Sequence, residues 1–490
     1  MLNIGSFFAN LYLLNCNPVA NTKIIHPNRG EAFHLRWTLK GAVVSKLNST
    51  RKAAAVVASL ALAFGGISAA TSSAATVAKD WSCKPTKAKP VTVRMIEYFA
   101  GPARTPLLNS FARAYEAKTP GVKIDLISPS QADSPAKITQ LIQAKNVDIV
   151  EPAGAIYSQA VVAGQLADIA KQFKATKAYK FLTPYTKEMA EQTTKGKIYG
   201  IGNGYYTKAS FVRTDRFKAA GVAVPKTWQD VYNAKSMQKD NEYVYAMRGA
   251  AAAHSQAMFI IHAHLAPNLN ATGLQTKDGK TIFATPEAQT AMDLLLKIWK
   301  EAAPAASVAW GYPEMVKGFH TGVANYLIQD NEVIQIVEDN FEPFSKGNWA
   351  MAQIPKGPGG YSAQFIGAGG LWSITQSSKC KNVALGFLDY ITQDPQHALF
   401  ARAYGVGPVT TTAAKDPFFK EGAWAIYSKI NADPKELKFS GVRGPKLTAC
   451  FGAMYANLDK DMAKLYTGDL TTTNLLKGWA DGLGKADCID

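Results

Sequence analysis

Apolar residues at Val91, Val93 and Met95 alternate with polar ones, a period of two that predicts a strand ending at Glu97 and Tyr98. Leu107 or Leu108, Phe111 and Tyr115 then recur at helical spacing. Val122, Ile124 and Leu126 alternate again, Ile138, Leu141 and Ile142 form a second helical stripe, and residues 147–150 make a short buried strand. Strands alternating with helices predict an α/β fold with a parallel sheet, whose ligands bind beyond the carboxyl ends of the strands. Those ends are residues 97–101, 128–134 and 151–154.

Residues 196–231 punctuate the chain. An apolar run at 198–201 meets a glycine-rich aromatic turn at 202–206, a second extended run follows at 209–213, and Thr227 with Trp228 opens a helix after a break at 221–225. Glycines at 200, 202 and 204 allow the chain to cross between two lobes and flex there. From about residue 238 to 303 the pattern is mostly helical, best at Thr285 and Pro286, where Ala288, Met292, Leu295 and Trp299 share one face. A glycine-rich return at 365–374 precedes a helix striped by Ala384, Phe387, Leu388 and Ile391. After Gly405, Gly407 and Pro408 comes a helical tail carrying Trp424, Phe451, Tyr455, Leu475, Leu476, Trp479 and Leu483.

With 490 residues, 47% of them hydrophobic, the chain can bury cores for two or three domains. Lys46, Arg51 and Lys52 followed by an alanine-rich apolar run at 53–66 and small residues to Ala75 predict a signal peptide at 44–75, cleaved after Ala75 or Ala70. Residues 1–43 then form an upstream leader, with translation expected to start at Val44. No cysteine directly follows the apolar run, so a freely secreted, periplasmic or wall-associated product is expected. The formal charge is +17, and +11 once the first 75 residues are set aside. Scattered lysines favour an anionic wall or a solvated surface over nucleic acid.

Four cysteines remain beyond the signal, Cys83, Cys380, Cys450 and Cys488, enough for two disulfides in any of three pairings. His254, His262 and His264 invite a metal reading, but on a helix positions two apart face different sides, so no metal site is expected. No HExxH, GxSxG, Walker A or CxxC motif is present. Glu97, Glu151 and Asp330 leave a secreted carbohydrate-active hydrolase as the alternative function.

The stretch GKIYGIG, followed by ASFVRTDRFKAAGVAVPKTWQDV, resembles the extracellular solute-binding proteins of bacterial ABC sugar importers, of the maltose-binding-protein-like type. It departs from their pattern at Gly202, where a proline is usual, and at Val212 and Arg213, where Tyr-Asn is usual. FARAYEAKTPGVKIDLI, VDIV, AWGYPEMVKGFHTGVANYLIQDN and FIGAGGLWSITQSSKCKNVALGFLDYIT are also similar to the family, over roughly residues 90–485. The resemblance implies a two-lobed periplasmic-binding-protein-like fold with three hinge crossovers, near residues 202, 368 and 407. Lobe 1 is then 76–201 plus 369–407, and lobe 2 is 202–368 plus 408–490. It also implies disulfides Cys83–Cys380 and Cys450–Cys488, each within one lobe. The ligand would be a mono- or oligosaccharide caught by hinge closure, the partners membrane permease subunits, and the chain a monomer without cofactor, metal, nucleic acid or catalytic activity. Its expected contacts are Tyr205, Trp310 and Trp372 as stacking residues, with Tyr312 a further candidate. Glu97, Glu151, Asn203 and Asp330 are the expected polar groups, followed by Tyr98, Tyr206 and His254; Gln329 and Asn331 flank Asp330.

Overall fold

The computed structural model describes residues 79–490, except 99, 102, 131–132, 192–195, 251, 369, 432, 441–444, 486–487 and 489–490. The leader and signal peptide expected at 1–43 and 44–75 lie outside the described residues. Among the described residues, twelve strands form three sheets: β1 (Val91–Ile96), β2 (Val122–Ile127), β3 (Ile149–Val150), β4 (Ile201–Gly202), β5 (Tyr205–Tyr206), β6 (Lys208–Val212), β7 (Tyr243–Tyr245), β8 (Ala324–Asp330), β9 (Ala350–Ala352), β10 (Ser362–Ala368), β11 (Leu371–Ile374) and β12 (Glu436–Ser440).

The first sheet runs β2-β1-β3-β11-β4. β1 pairs in parallel with β2, Val91 opposite Val122, and with β3, Met95 opposite Ile149. Both faces are covered, as parallel strands require. Val93, Met95, Ile149, Trp372 and Ile374 pack with Phe387, Leu388 and Ile391 on one side. Ile96, Val150 and Leu371 pack with Ile138, Leu141, Ile142 and Tyr157 on the other. The helix Arg104–Lys118 adds Leu108, Phe111 and Ala112 to the first of these two sides.

The second sheet runs β7-β8-β6-β9. Along β6, Phe211 joins Leu327, Met351, Phe319 and Trp349, while Val212 faces Phe217, Trp228 and Tyr326 on the other side. Thr227 caps the helix after Pro225 in a reciprocal pair with Asp230, and Thr285 caps the helix Pro286–Ala302. That helix buries Ala288, Met292 and Leu295, and Trp299 stacks on Tyr466 at 4.8 Å. Each such side chain taken from water contributes about 1.5–3 kcal/mol. Two strands interrupt stretches expected to be helical, β7 and β12. Both are short, and each finds a parallel partner, β8 and β10, far along the chain. Among the described residues, no helix is long and apolar enough to cross a membrane.

The lobes are joined where β4 leads into β5 and β6, and where β10 leads into β11. These passages lie side by side, Ala368 opposite Tyr205 and Gly367 opposite Tyr206. On its other side Tyr205 exchanges backbone hydrogen bonds with Gly407 at 3.1 and 3.0 Å. A side chain at Gly407 would place its first carbon 2.2 Å from the Tyr205 ring. Beyond Gly407 the chain stays tied to residues 181–183: Thr183 N–H donates to the Val409 carbonyl and Thr411 N–H to that of Phe181. The cysteines pair as Cys83–Cys380 and Cys450–Cys488.

Candidate functional site

Strand ends of the first sheet deliver two carboxylates to the mouth between the sheets. Glu97 follows β1, Glu151 follows β3, and both are fully buried. Arg104, in the first turn of its helix and 1% exposed, lies between them. Its Nε stands 3.2 Å from Glu97 Oε2, and its Nη2 donates to Glu151 Oε2. Thr105 and Ser128 hydroxyls donate to Glu97 Oε1 at 2.6 and 2.5 Å. Glu151 also accepts from the Tyr98 N–H at 3.0 Å and from Asn203 Nδ2 at 2.6 Å. The guanidinium lies over the rings of Tyr404 and Phe400, 4.7 and 5.3 Å from their centres. Burial disfavours its charge, but Glu151, Tyr404 and Glu97 more than offset that, and its pKa lies above the ordinary value. Gly370 is fixed by this cluster: a β-carbon there would meet Glu151 Oε1 at 2.0 Å and Asn203 Nδ2 at 2.7 Å.

The second lobe answers from β6, β7 and β8. Asp330 closes β8 opposite Lys208 of β6 and forms an ion pair with it. Asn331, fully buried, donates to the Gly405 carbonyl at 2.7 Å and so ties the strand end to the hinge. The Glu332 carboxyl is raised to about 7, by desolvation first and the Asp330 charge second, with the neighbouring Tyr312, Lys208 and Tyr206 acting against that. Tyr206 and Tyr404 meet edge to face at 6.3 Å, and burial raises the pKa of both. Arg248, in the loop after β7, lies 6.0 Å from the Tyr312 ring centre. Desolvation lowers its pKa, with Asp330, Asp459, Tyr312 and Tyr98 acting against that. Burial raises the pKa of Tyr98, with the Arg248 charge acting against that and the Glu151 charge adding to it.

The family described as "Bacterial extracellular solute-binding protein" matches residues 110–425. The chain belongs to this family. A "Maltooligosaccharide ABC transporter solute-binding lipoprotein" of Streptococcus pneumoniae is 25% identical over 392 residues, 74% of this chain and 87% of that protein. Among solved structures, maltose-bound T. maritima MalE3 superimposes with a TM-score of 0.68 at 17% identity, over 80% of this chain and 98% of that one. A "Chitin oligosaccharide binding protein" gives 0.68 at 18% identity, over 81% and 99%. The fold is thus the two-lobed one of extracellular solute-binding proteins.

In this solute-binding protein Glu97, Tyr98, Glu151 and Asn203 gather around Arg104, while Tyr206 and Asp330 lie near Glu332. The other four expected contacts have the following surroundings. Trp372 is fully buried in the first-lobe core against Phe400, with no ring face left for a ligand, which corrects its assignment as a stacking residue. Trp310 lies over Gly318, and its carbonyl accepts from the Ala250 N–H at 2.9 Å. His254 is buried and bonded through Nδ1 to Asp459 at 2.8 Å, and Asp459 also accepts from the Ala252 N–H. Both residues therefore brace the Arg248 loop from behind. Tyr205 packs edge-on against Tyr185 at 5.8 Å, beside a cavity of about 10 Å³ that both help to line. His262 and His264 point to different carbonyls, those of Gly273 and Ile260, and among the described residues no acidic, histidine and cysteine cluster suits a metal. Sequence reasoning missed Arg104, Lys208, Arg248, Glu332 and Tyr404. Lys208 could have been found from its pairing with Asp330, had the β6–β8 register been known.

Proposed function

We propose that the protein is the substrate-binding component of an ABC importer, catching a mono- or oligosaccharide between its lobes and presenting it to membrane permease subunits. The carrying observation is the cleft itself, where buried carboxylates and Asn203 from one lobe face tyrosines, Asp330, Glu332 and Arg248 from the other. Asp330 and the open Asn203 Oδ1 accept from sugar hydroxyls, and tyrosine rings cover the C–H faces of the sugar. The names carried by its relatives, for maltooligosaccharide, maltose and chitin oligosaccharide, support the sugar class. A ligand touching both lobes stabilises the closed form, and the crossovers supply the hinge. The lobes are 76–201 with 369–407 and 202–368 with 408–490; the protein acts as a secreted monomer, outside the cell. The site binds rather than hydrolyses: Glu97 and Glu151 share Arg104, and Asp330 is held by Lys208, so none of these is poised as a free acid or nucleophile.

A thermal-shift screen against saccharides and polyols tests this. A ligand at about 100 times its dissociation constant stabilises the fold by roughly 2.7 kcal/mol, and it should be recovered intact. A flat screen across saccharides, or a cleaved sugar, would sink the proposal.

A further inference from the structure

The charges of the cleft are unevenly satisfied. Glu97 and Glu151 have Arg104, Asp330 has Lys208, and burial pushes Glu332 toward its neutral form. Arg248 differs. Among the described residues no carboxylate forms an ion pair with it, and its Nε is buried without a hydrogen-bond partner. The nearby acids are already engaged, Asp330 by Lys208 and Asp459 by His254.

The loop that carries Arg248 is built to hold it in place. Ala246 N–H donates to the Tyr326 carbonyl at 2.8 Å, and Ala250 N–H to that of Trp310 at 2.9 Å. Ala252 N–H donates to Asp459 Oδ2 at 2.6 Å. Gly249 lies so close to the backbone of Ser307 that a β-carbon would stand 2.3 Å from the Ser307 oxygen. A cation fixed by its backbone in a partly dehydrated cleft, without a carboxylate paired to it, is completed by a ligand that brings one. Across the cleft, Asn203 Oδ1 is a buried acceptor with no hydrogen-bond partner. It calls for a donor, such as a hydroxyl.

Resting on the reading of the protein as a sugar receptor, we infer that its ligand is an acidic saccharide, with a carboxylate paired to Arg248 and a hydroxyl donating to Asn203. One guanidinium matches one carboxylate through two parallel hydrogen bonds. A phosphate monoester carries about −1.5 to −2 charges and would need further cations. The remaining cations of the described cleft, Arg104 and Lys208, are committed to carboxylates.

Calorimetry on matched pairs tests this: digalacturonate against galactobiose, and cellobiouronate against cellobiose, with wild type, Arg248→Gln and Arg248→Lys. The acidic member of at least one pair should bind at least tenfold tighter than its neutral counterpart. Arg248→Gln should abolish that ratio by weakening the acid alone, with the melting temperature of the unliganded protein unchanged. Arg248→Lys, which keeps the charge, should retain part of the preference and serves if the glutamine variant does not fold. Neutral sugars binding as tightly as acidic ones, or both members losing affinity alike in the variants, would overturn the inference while leaving the sugar receptor standing. If no saccharide in either pair or in the wider screen binds, both fall.

Discussion

The two half-sites satisfy their charges differently. In the first lobe Glu97, Glu151 and Arg104 are closed to solvent and bonded to one another, with Thr105, Ser128, Asn203 and a backbone N–H taking the remaining lone pairs. In the second, Asp330 and Lys208 pair at the rim, Glu332 is pushed toward neutrality, and Arg248 has no carboxylate partner among the described residues. The first half has its charges balanced without ligand, with the Asn203 Oδ1 acceptor left open; the second has charge left to satisfy. A binding protein with one charge-balanced surface and one unbalanced surface loses little by staying open, and its closed form is stabilised when the ligand supplies the missing partner.

The sharpest way to break this contrast is Arg104→Met. It leaves Glu97 and Glu151 buried without their cation, and urea denaturation should show a loss of about 3–5 kcal/mol. A loss under 1 kcal/mol would mean that the triad is no more locked than the opposite lobe. Gly370→Ala forces a methyl into Glu151 and Asn203, and should cost about 1–3 kcal/mol and weaken ligand binding with it. Unchanged affinity in that variant would separate the triad from recognition. The smallest effect belongs to Glu332. Because its folded pKa is raised to about 7, the folded state keeps a proton that the unfolded chain releases near its ordinary value of about 4.3. Its contribution is fully present below that lower value and is lost as pH rises through about 7. Glu332→Gln should therefore be more stable than the wild type at pH 8 and flatten the pH dependence of the melting temperature between pH 5 and 8. An equal slope in the variant would remove Glu332 as its source.

Much of the scaffold could be read along the chain because it rests on local periodicity. β1, β2 and their helices alternate cleanly, and the caps at Thr227 and Thr285 stand where the residue types ask for them. The site was legible where it coincides with strand ends, as at Glu97, Glu151 and Asp330. It was illegible where burial removes the pattern or where the contact is long-range. Leu371, Trp372 and Ile374 are all apolar because β11 is covered on both faces, so the sequence does not show which way the indole turns. Arg248 follows a strand of three residues set in an apolar stretch with helical neighbours, and nothing local distinguishes it. Arg104 is a helix residue like any other until the fold brings Glu151 to it.

The Cys83–Cys380 bond spans 297 positions of sequence, and Cys450–Cys488 spans 38. Tension applied to the two ends of the described chain would enter at residue 83, pass through sulfur to residue 380, and then skip from 450 to 488. Nearly all of the second lobe before β11, and most of the cleft, therefore lie off the load path. Roughly 1,000 Å of extended chain stays slack while the longer bond is intact, at about 3.3–3.6 Å per residue. A pull, or a protease cut in any loop between 83 and 380, would leave the molecule in one covalent piece.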